Sequence, residues 1–446
     1  MDNDALIALA ARAVEAATRA GADGADALAI TSAEVNAGIR NGAPETIERA
    51  ESRGIGLRVF VGASYATLST SDVSADALTN LATTAVAIAR AAPADPYATL
   101  APAADLAHDY PKLDAADDTL PDITALQHAA REAEEAGRAV SGITNSEGGD
   151  ASASRTSIAL ATSHGFTGHY SVARYAVSAS LIAGSGDSMQ RDYDYAMTTR
   201  YRDLPSAASI GTSAATRAIA RMNPRKVPSQ QAVVYFEPRV GRQFLSAFAG
   251  AISGAAITRG TSFLKDALGT QVFNNRITIT DDPLRAQGLA SRPFDVEGIA
   301  AKKFDFIDAG RLTSWVLDTR CANQLGLKTT GHASRGLASA PNPSTSNLYL
   351  HGGNQSPAEL FAQMGDGFYV TETIGHGVNL ITGDYSVGAS GFWLEGGVRA
   401  FAVSEVTIAG NLRDIFRELV AADDLTFHYA TNVPTLAVPR MTIAGN

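Results

Sequence analysis

Apolar and polar positions along this chain follow two different periods. Asp4 to Ala20 repeats Ala, Leu, Ile and Val at helical spacing, with acidic residues ahead of it and Gly21 behind, which predicts an N-terminal helix closed by a glycine. Strand-like runs follow over residues 26–32, 34–40, 45–50 and 54–69, the last broken by Gly62 in the manner of a hairpin. Helical spacing returns at Ser74–Ala92 and Pro121–Val140. From residue 150 the alternation lengthens: Ser152–Thr162, Thr167–Ile182 and Ser188–Tyr201 read as antiparallel strands joined by glycine turns such as Gly184-Ser185-Gly186. A helix over 205–221, a buried strand at Ala232–Phe236 and an apolar helix near 239–253 come next, and beyond 275 short strands alternate with glycine turns. Helix, strands, then helices is an α+β order rather than a βαβ repeat. The expected fold is therefore α+β, with a large and mainly antiparallel sheet in its C-terminal part.

Alanine usage divides this pattern. Of the alanines, 40 fall in residues 1–140 and 42 in the other 306 residues, which predicts two domains, an N-terminal α+β domain of residues 1–140 and a β-rich domain of residues 141–446. Thr407-Ile408-Ala409-Gly410-Asn411 recurs as Thr442-Ile443-Ala444-Gly445-Asn446, an echo too short to establish a duplication and readable as two similar strand ends. Charge narrows the class further. With 46 acidic against 36 basic residues the net charge is −10, the wrong sign for a protein that neutralises phosphates, so no nucleic acid is expected as a partner. No polybasic cluster and no run of about 18 apolar residues points to a membrane. A single cysteine, Cys321, and an acidic opening Met1-Asp2-Asn3-Asp4 give a cytoplasmic protein as the expectation.

Candidate chemistry is sparse. None of the eight histidines begins an H-E-x-x-H helix; His164 and His169 flank a glycine turn, and His332 and His376 sit in Gly-flanked loops where function more often resides. Ser262-Phe263-Leu264-Lys265 fits S-x-x-K, but the S-D-N element that accompanies it in acyl-serine enzymes is missing. Asp187, Asp192 and Asp194 lack the glycine and the terminal glutamate of a calcium loop and read as a solvated hairpin. Cys321, in a helix expected at Thr319–Leu325, reads as a packed apolar group. The densest unusual stretch is Gly365 to Ser386, where glycines between β-branched and aromatic residues suit either hairpin turns or capture of an extended chain by strand addition.

Six ordered blocks run through this half of the chain: Ile252-Ser253-Gly254, Leu289 to Gly298, Leu325 to Ala333, Ile381 to Ser386, Gly391 to Gly397 and Thr407 to Leu412. Together they resemble the TldD/PmbA family in its PmbA (TldE) branch. That resemblance implies a two-domain α+β subunit of a cytoplasmic metallopeptidase assembly, a closed chamber for unfolded peptides linked to leader-peptide removal and antitoxin turnover. In it a TldD-type chain carries zinc on an H-E-x-x-x-H helix, and a PmbA-type chain pairs with it as a heterodimer, a homodimer being possible in isolation. Aligned on Arg239–Gly254, the positions of that motif hold Ser246, Ala247 and Ala251, with Gly250 alone retained. Serine and alanine replace neither imidazole ligands nor a carboxylate base. The expectation is thus a chain with no catalytic residue and no cofactor of its own, zinc residing in the partner. Its substrate-binding surface is expected at Gly375, His376, Gly377, Asn379, Thr382, Gly383 and Asp384. Two alternatives stand beside this reading: an autonomous hydrolase using His332, His376 and Asp384, or the Ser262–Lys265 pair, and a binding protein acting indirectly on DNA gyrase.

Overall fold

The computed structural model describes residues 2–117 and 119–445, without the side chain of Asp187. Its first half runs α1 (Asn3–Arg19), β1 (Gly24–Arg40), β2 (Ala43–Val61), β3 (Ser64–Thr70), α2 (Ala75–Ala91), α3 (Ile123–Arg138), β4 (Ile143–Thr162), β5 (Thr167–Ala183), β6 (Gln190–Thr198) and α4 (Ala207–Ala220). The six strands form one antiparallel sheet in the order β3-β2-β1-β4-β5-β6. Runs that looked separate in the sequence, 26–32 with 34–40 and 45–50 with 54–61, are single long strands, because pairing along the whole of β1 carries each chain through its polar interruptions. Asn41-Gly42 makes the two-residue turn between them with both residues at positive φ. The buried Glu134 of α3 receives both turn amides, at 2.7 and 2.9 Å. The hairpin predicted at Gly62 joins β2 to β3.

The division expected at residue 140 does not separate two bodies. β4, which follows it, pairs with β1 from Asp26↔Thr162 to Ile39↔Gly149, so a break there would cut the first sheet through its middle. The sheet and its covering helices run on to residue 220. Alanine changes density because it sets helix spacing rather than a boundary. Ala10, Ala13 and Ala17 of α1 lie flat on Ala25, Ala27 and Ala29 of β1, and a Cβ at Gly211 of α4 would fall 1.8 Å from the Ala133 carbonyl of α3.

The second half begins at β7 (Gln230–Phe236) and α5 (Pro238–Ala251), followed by α6 (Gly254–Thr258), β8 (Ile279–Asp281), β9 (Phe304–Asp308), β10 (Arg311–Leu312) and α7 (Thr319–Leu325). A short ribbon, β11 (Ala333–Ser334) and β12 (Asn342–Pro343), precedes β13 (Leu348–Leu350), α8 (Pro357–Met364), β14 (Gly367–Ile374), β15 (Asp384–Glu395), β16 (Val398–Asn411), α9 (Leu412–Glu418), β17 (Val420–Ala421), β18 (Thr431–Asn432) and β19 (Leu436–Ala444). The large sheet has the order β16-β15-β14-β7-β19-β17, and β16 also pairs with β19, so it closes on itself. The closing contact is the sequence echo. Thr407 pairs with Ala444, Ile408 with Ile443 and Ala409 with Thr442, so the two identical segments lie antiparallel on each other; Asn446, the last residue of the echo, is outside the described residues. Around this sheet lies the largest apolar core, in which Phe236 meets Phe244 edge to face at 4.7 Å and Phe273 stacks on Phe416 at 4.5 Å. The α+β architecture with a dominant antiparallel sheet is the one expected.

Candidate functional site

Helix α5 carries two faces. Val240, Phe244, Leu245, Phe248 and Ala251 are buried in the large core, while Arg239, Arg242, Gln243, Ser246 and Gly250 recur at helical spacing on the opposite side. The helix stops at Ala251 rather than running to Gly254. Ser262 ends it: the buried hydroxyl donates to the Ala251 carbonyl at 2.6 Å and accepts from the Leu264 amide at 3.0 Å, a turn-closing role that leaves it no part as a nucleophile, and Lys265 is exposed. Gly254 instead opens α6, where a Cβ would meet Cys321 and Leu317 at 2.8 Å. On the outer face Ser246 donates to the Arg242 carbonyl at 3.2 Å, while Ala247 and Ala251 turn their methyl groups into the core. One hydroxyl and two methyls do not fit a zinc ion, which takes imidazole, thiolate or carboxylate donors. Among the described residues no three His, Cys, Asp or Glu side chains gather as a metal group.

The segment chosen from its glycines lies on this face. Residues 375–383 connect β14 to β15, and a Cβ at Gly250 would touch Leu380 at 3.2 Å, so the loop rests on the C-terminal end of α5. Inside the loop, Gly377 lies so close to the next strand that a Cβ would fall 1.6 Å from the Ser386 carbonyl, while the Ser386 amide donates to the Gly377 carbonyl at 2.8 Å. Asn379 accepts from the Ile381 and Thr382 amides. Asp384 accepts from the Thr382 hydroxyl at 2.7 Å and the Asn411 amide at 3.1 Å, and these bonds hold its carboxyl below the usual carboxylate range. Arg413 anchors the loop by donating to the Thr382 carbonyl at 2.8 Å. Gly375, His376, Asn379 and Thr382 are exposed, with Ile374 and Ile381 standing out beside them at 65 % and 62 % exposure. Strand addition at β14 or β15 is not available. Each already has a neighbour on both sides, β7 and β15 for the first, β14 and β16 for the second, so their backbone groups are spent within the closed sheet.

Between the outer face of α5, the end of β14 and this loop lies a cleft of about 730 Å³. Its floor is a run of ion pairs from both halves of the chain. Asp192 of β6 takes Arg239 through two bonds of 2.9 and 3.1 Å and lies 3.5 Å from Arg221; burial opposes its charge, but the Arg239 bonds outweigh that and hold the carboxyl low. Glu237 pairs with Arg239 and Arg217, and Glu372 with Arg221 and Arg191. The loop reading of Asp187, Asp192 and Asp194 is thereby corrected, since Asp192 is a buried ion-pair member rather than part of a solvated hairpin; the Asp187 side chain is outside the described residues. Arg242 differs from its neighbours. Its Nε donates to the Arg239 carbonyl at 3.0 Å and its guanidinium lies 4.3 Å from the Tyr429 ring centre, but among the described residues no carboxylate pairs with it. Thr371, which lines the same cleft, sits at a bulge between Val370↔Gly391 and Glu372↔Ser390, and its buried hydroxyl has no hydrogen-bond partner.

The other sequence candidates lie elsewhere. His332 is 1 % exposed, packed edge-on to Phe306, with Nδ1 2.8 Å from the Thr330 carbonyl and Nε2 3.1 Å from Asp281. Asp281 is filled by the Ser346 amide and hydroxyl at 2.7 and 2.6 Å. His332, His376 and Asp384 therefore do not form a catalytic group: one histidine is locked in the core, the other is exposed, and the aspartate is engaged by Thr382 and Asn411. Burial pushes the Cys321 thiol up to about 12, which keeps it inert. His164 bonds the Ala101 carbonyl at 3.0 Å. Sequence reasoning missed a buried charge cluster where the halves meet. Asp26 of β1 receives Arg58 at 2.7 Å and Arg335 at 2.5 Å, and Glu297 receives the Thr319 amide at 2.8 Å beside Arg58. Glu297 and Arg335 both fall within or beside the family blocks, but nothing local in the sequence marks them as a pair with Asp26 and Arg58.

The two-sheet architecture is that of a known metallopeptidase family, as comparison along the chain shows. Residues 25–89 match domain 1, residues 113–222 the central domain and residues 229–445 the C-terminal domain of the PmbA/TldA metallopeptidases. The chain belongs to the PmbA/TldD family. It is 35% identical over 426 residues to the metalloprotease PmbA of Escherichia coli O157:H7, covering 95% of this chain and 92% of that one. It is 34% identical to the PmbA homologue of Haemophilus influenzae, over 97% and 95% of the two chains. Among solved structures, a putative modulator of DNA gyrase from Bacteroides thetaiotaomicron superposes with a TM-score of 0.92 at 25% identity, over 100% of both chains. TldE from Thermococcus kodakarensis shares the fold, with a TM-score of 0.89 at 17% identity over 98% of this chain and 100% of that one.

Proposed function

We propose that this chain is the zinc-free, non-catalytic subunit of a cytoplasmic two-chain metallopeptidase, pairing with a TldD-type zinc-bearing partner and holding unfolded peptide for it. The observation that carries this reading is the side-chain chemistry of α5, where Ser246, Ala247 and Ala251 stand at the positions of the H-E-x-x-x-H motif and offer no ligand and no base. Catalysis by a bound metal needs a ligand set that keeps an open position for water or substrate, and a general base beside it. Neither can be built from this helix. The 375–383 loop meets this helix at Gly250, and its exposed Gly375, His376, Asn379 and Thr382, with Gly377, Gly383 and the adjoining Asp384, form the surface that would hold substrate. Leader-peptide removal and antitoxin turnover would then belong to the complex rather than to either chain alone.

Metal analysis and peptidase assays on the purified chain test this directly. The chain alone is expected to hold far less than one zinc per molecule and to leave a labelled unfolded peptide intact. Co-expression with an H-E-x-x-x-H relative from the same host is expected to give a one-to-one complex that cleaves it. Stoichiometric zinc together with cleavage by the chain alone sinks the proposal.

A further inference from the structure

We infer that the cleft between α5 and β14 is a carboxylate site, which takes the negative group of an extended peptide on the Arg242 guanidinium. The inference rests on the peptide-holding role proposed above and names the chemistry of what is held. Charge accounts for the first half of the argument. Arg191, Arg239 and Glu372 line the cleft with Arg242, and the first three are matched among themselves and with Asp192, Glu147, Glu237 and Arg221. Arg242 is left as one uncompensated positive charge, held by its Nε bond to the Arg239 carbonyl and its stacking on Tyr429, with the remaining guanidinium donors free. A planar guanidinium fixed in this way is suited to two parallel bonds with a carboxylate.

Thr371 supplies an independent second half. It is 5 % exposed, and a buried hydroxyl without a partner is costly unless something else satisfies it. The bulge in β14 leaves it out of the ladder with β15 and places it on the cleft wall opposite α5. A peptide amide or carbonyl passing along the cleft would complete it. Val378 and Leu380 of the loop form the apolar lip, and the volume of about 730 Å³ lies in the range of pockets that hold small ligands or a few residues of chain. The carboxylate can come from a peptide C-terminus or from an Asp or Glu side chain, since both present the same group.

Fluorescence anisotropy with four labelled peptides of one flexible sequence separates these sources. The set is a free C-terminus or an amide, each with an internal Glu or Gln, titrated with the full-length chain. Anionic forms are expected to bind about tenfold more tightly than the doubly neutral one, the fold-change of one charge-assisted contact. Arg242→Gln should abolish that difference and leave the neutral peptide's affinity in place, Arg242→Lys should restore part of it, and Thr371→Val should weaken all four peptides alike. Loss of preference on amidation alone identifies the C-terminus, and loss on Glu to Gln alone identifies the side chain. Equal binding of all four peptides, or a preference that survives Arg242→Gln in a variant with unchanged thermal unfolding, overturns the carboxylate site while leaving the peptide-holding role intact. Failure of every peptide to bind the wild-type chain overturns both.

Discussion

His332 shows how one residue type can carry opposite meanings. In the sequence it sits between glycine and alanine in a loop, where a histidine is more often functional than in a regular element. In the structure it is a strut: its ring closes the Asp281 carboxylate, which already holds two donors from Ser346. Replacing it leaves a buried carboxylate one donor short and a ring-sized gap beside Phe306. His332→Ala is therefore expected to lower unfolding stability by about 2–4 kcal/mol in a denaturant titration. The affinity of its folded fraction for an unfolded peptide should stay that of the wild type. A specific loss of peptide binding without loss of stability would return His332 to the list of functional residues. Arg242 is the converse case. Its meaning lies in the absence of a partner, and a missing ion pair has no signature in a sequence.

Elements were easier to read than single side chains. The register of α5 could be read from Phe244, Leu245 and Phe248, and the α7 boundaries from the pattern around Cys321, because burial imposes a helical period that survives in the sequence. The 375–383 loop was found through its glycines, and Gly377 explains why they are needed there. A Cβ 1.6 Å from the Ser386 carbonyl cannot be accommodated, so Gly377→Ala must lift the loop away from β15. Hydrogen exchange of the Ser386 amide, now donated to Gly377, should rise by at least tenfold in that variant, with weaker peptide binding. Unchanged exchange would show that the contact does not hold the loop. What the glycines could not reveal is that β14 and β15 are already paired on both sides, because β7, the outer neighbour of β14, lies more than a hundred positions upstream and leaves no local trace.

At the scale of the whole molecule, composition misplaced the boundary and topology corrected it. An alanine count registers how tightly helices pack, whereas the division between sheets follows strand order. The halves are joined through buried charge instead. Burial raises the Glu297 carboxyl to about 7 and the nearby Asp295 charge adds to this, with Arg58 opposing both. Because the folded state then binds a proton more tightly than the unfolded chain, the contribution of Glu297 to stability is full below its ordinary value near 4.5 and is lost as pH rises through about 7. The loss is at most roughly 3.5 kcal/mol, at about 1.4 kcal/mol per pH unit. Denaturant midpoints measured from pH 5 to 8 should fall more steeply for the wild type than for Glu297→Gln. Parallel curves would exclude Glu297 as the titrating group.

The closed sheet also sets a timetable. β7 pairs with β19 through Phe236↔Leu436, and β19 in turn seals the sheet against β16, so a strand made early waits two hundred residues for its neighbour. At synthesis rates of about 5–20 residues per second that interval is roughly 10–40 s. During it, the apolar strand Ala232–Phe236 has emerged from the ribosome with both flanks bare until β14 is made and one bare until β19 follows, while the first sheet, complete by residue 198, can already fold. The second half of this chain is thus assembled late and all at once, and its vulnerable moment is its own synthesis rather than its working life.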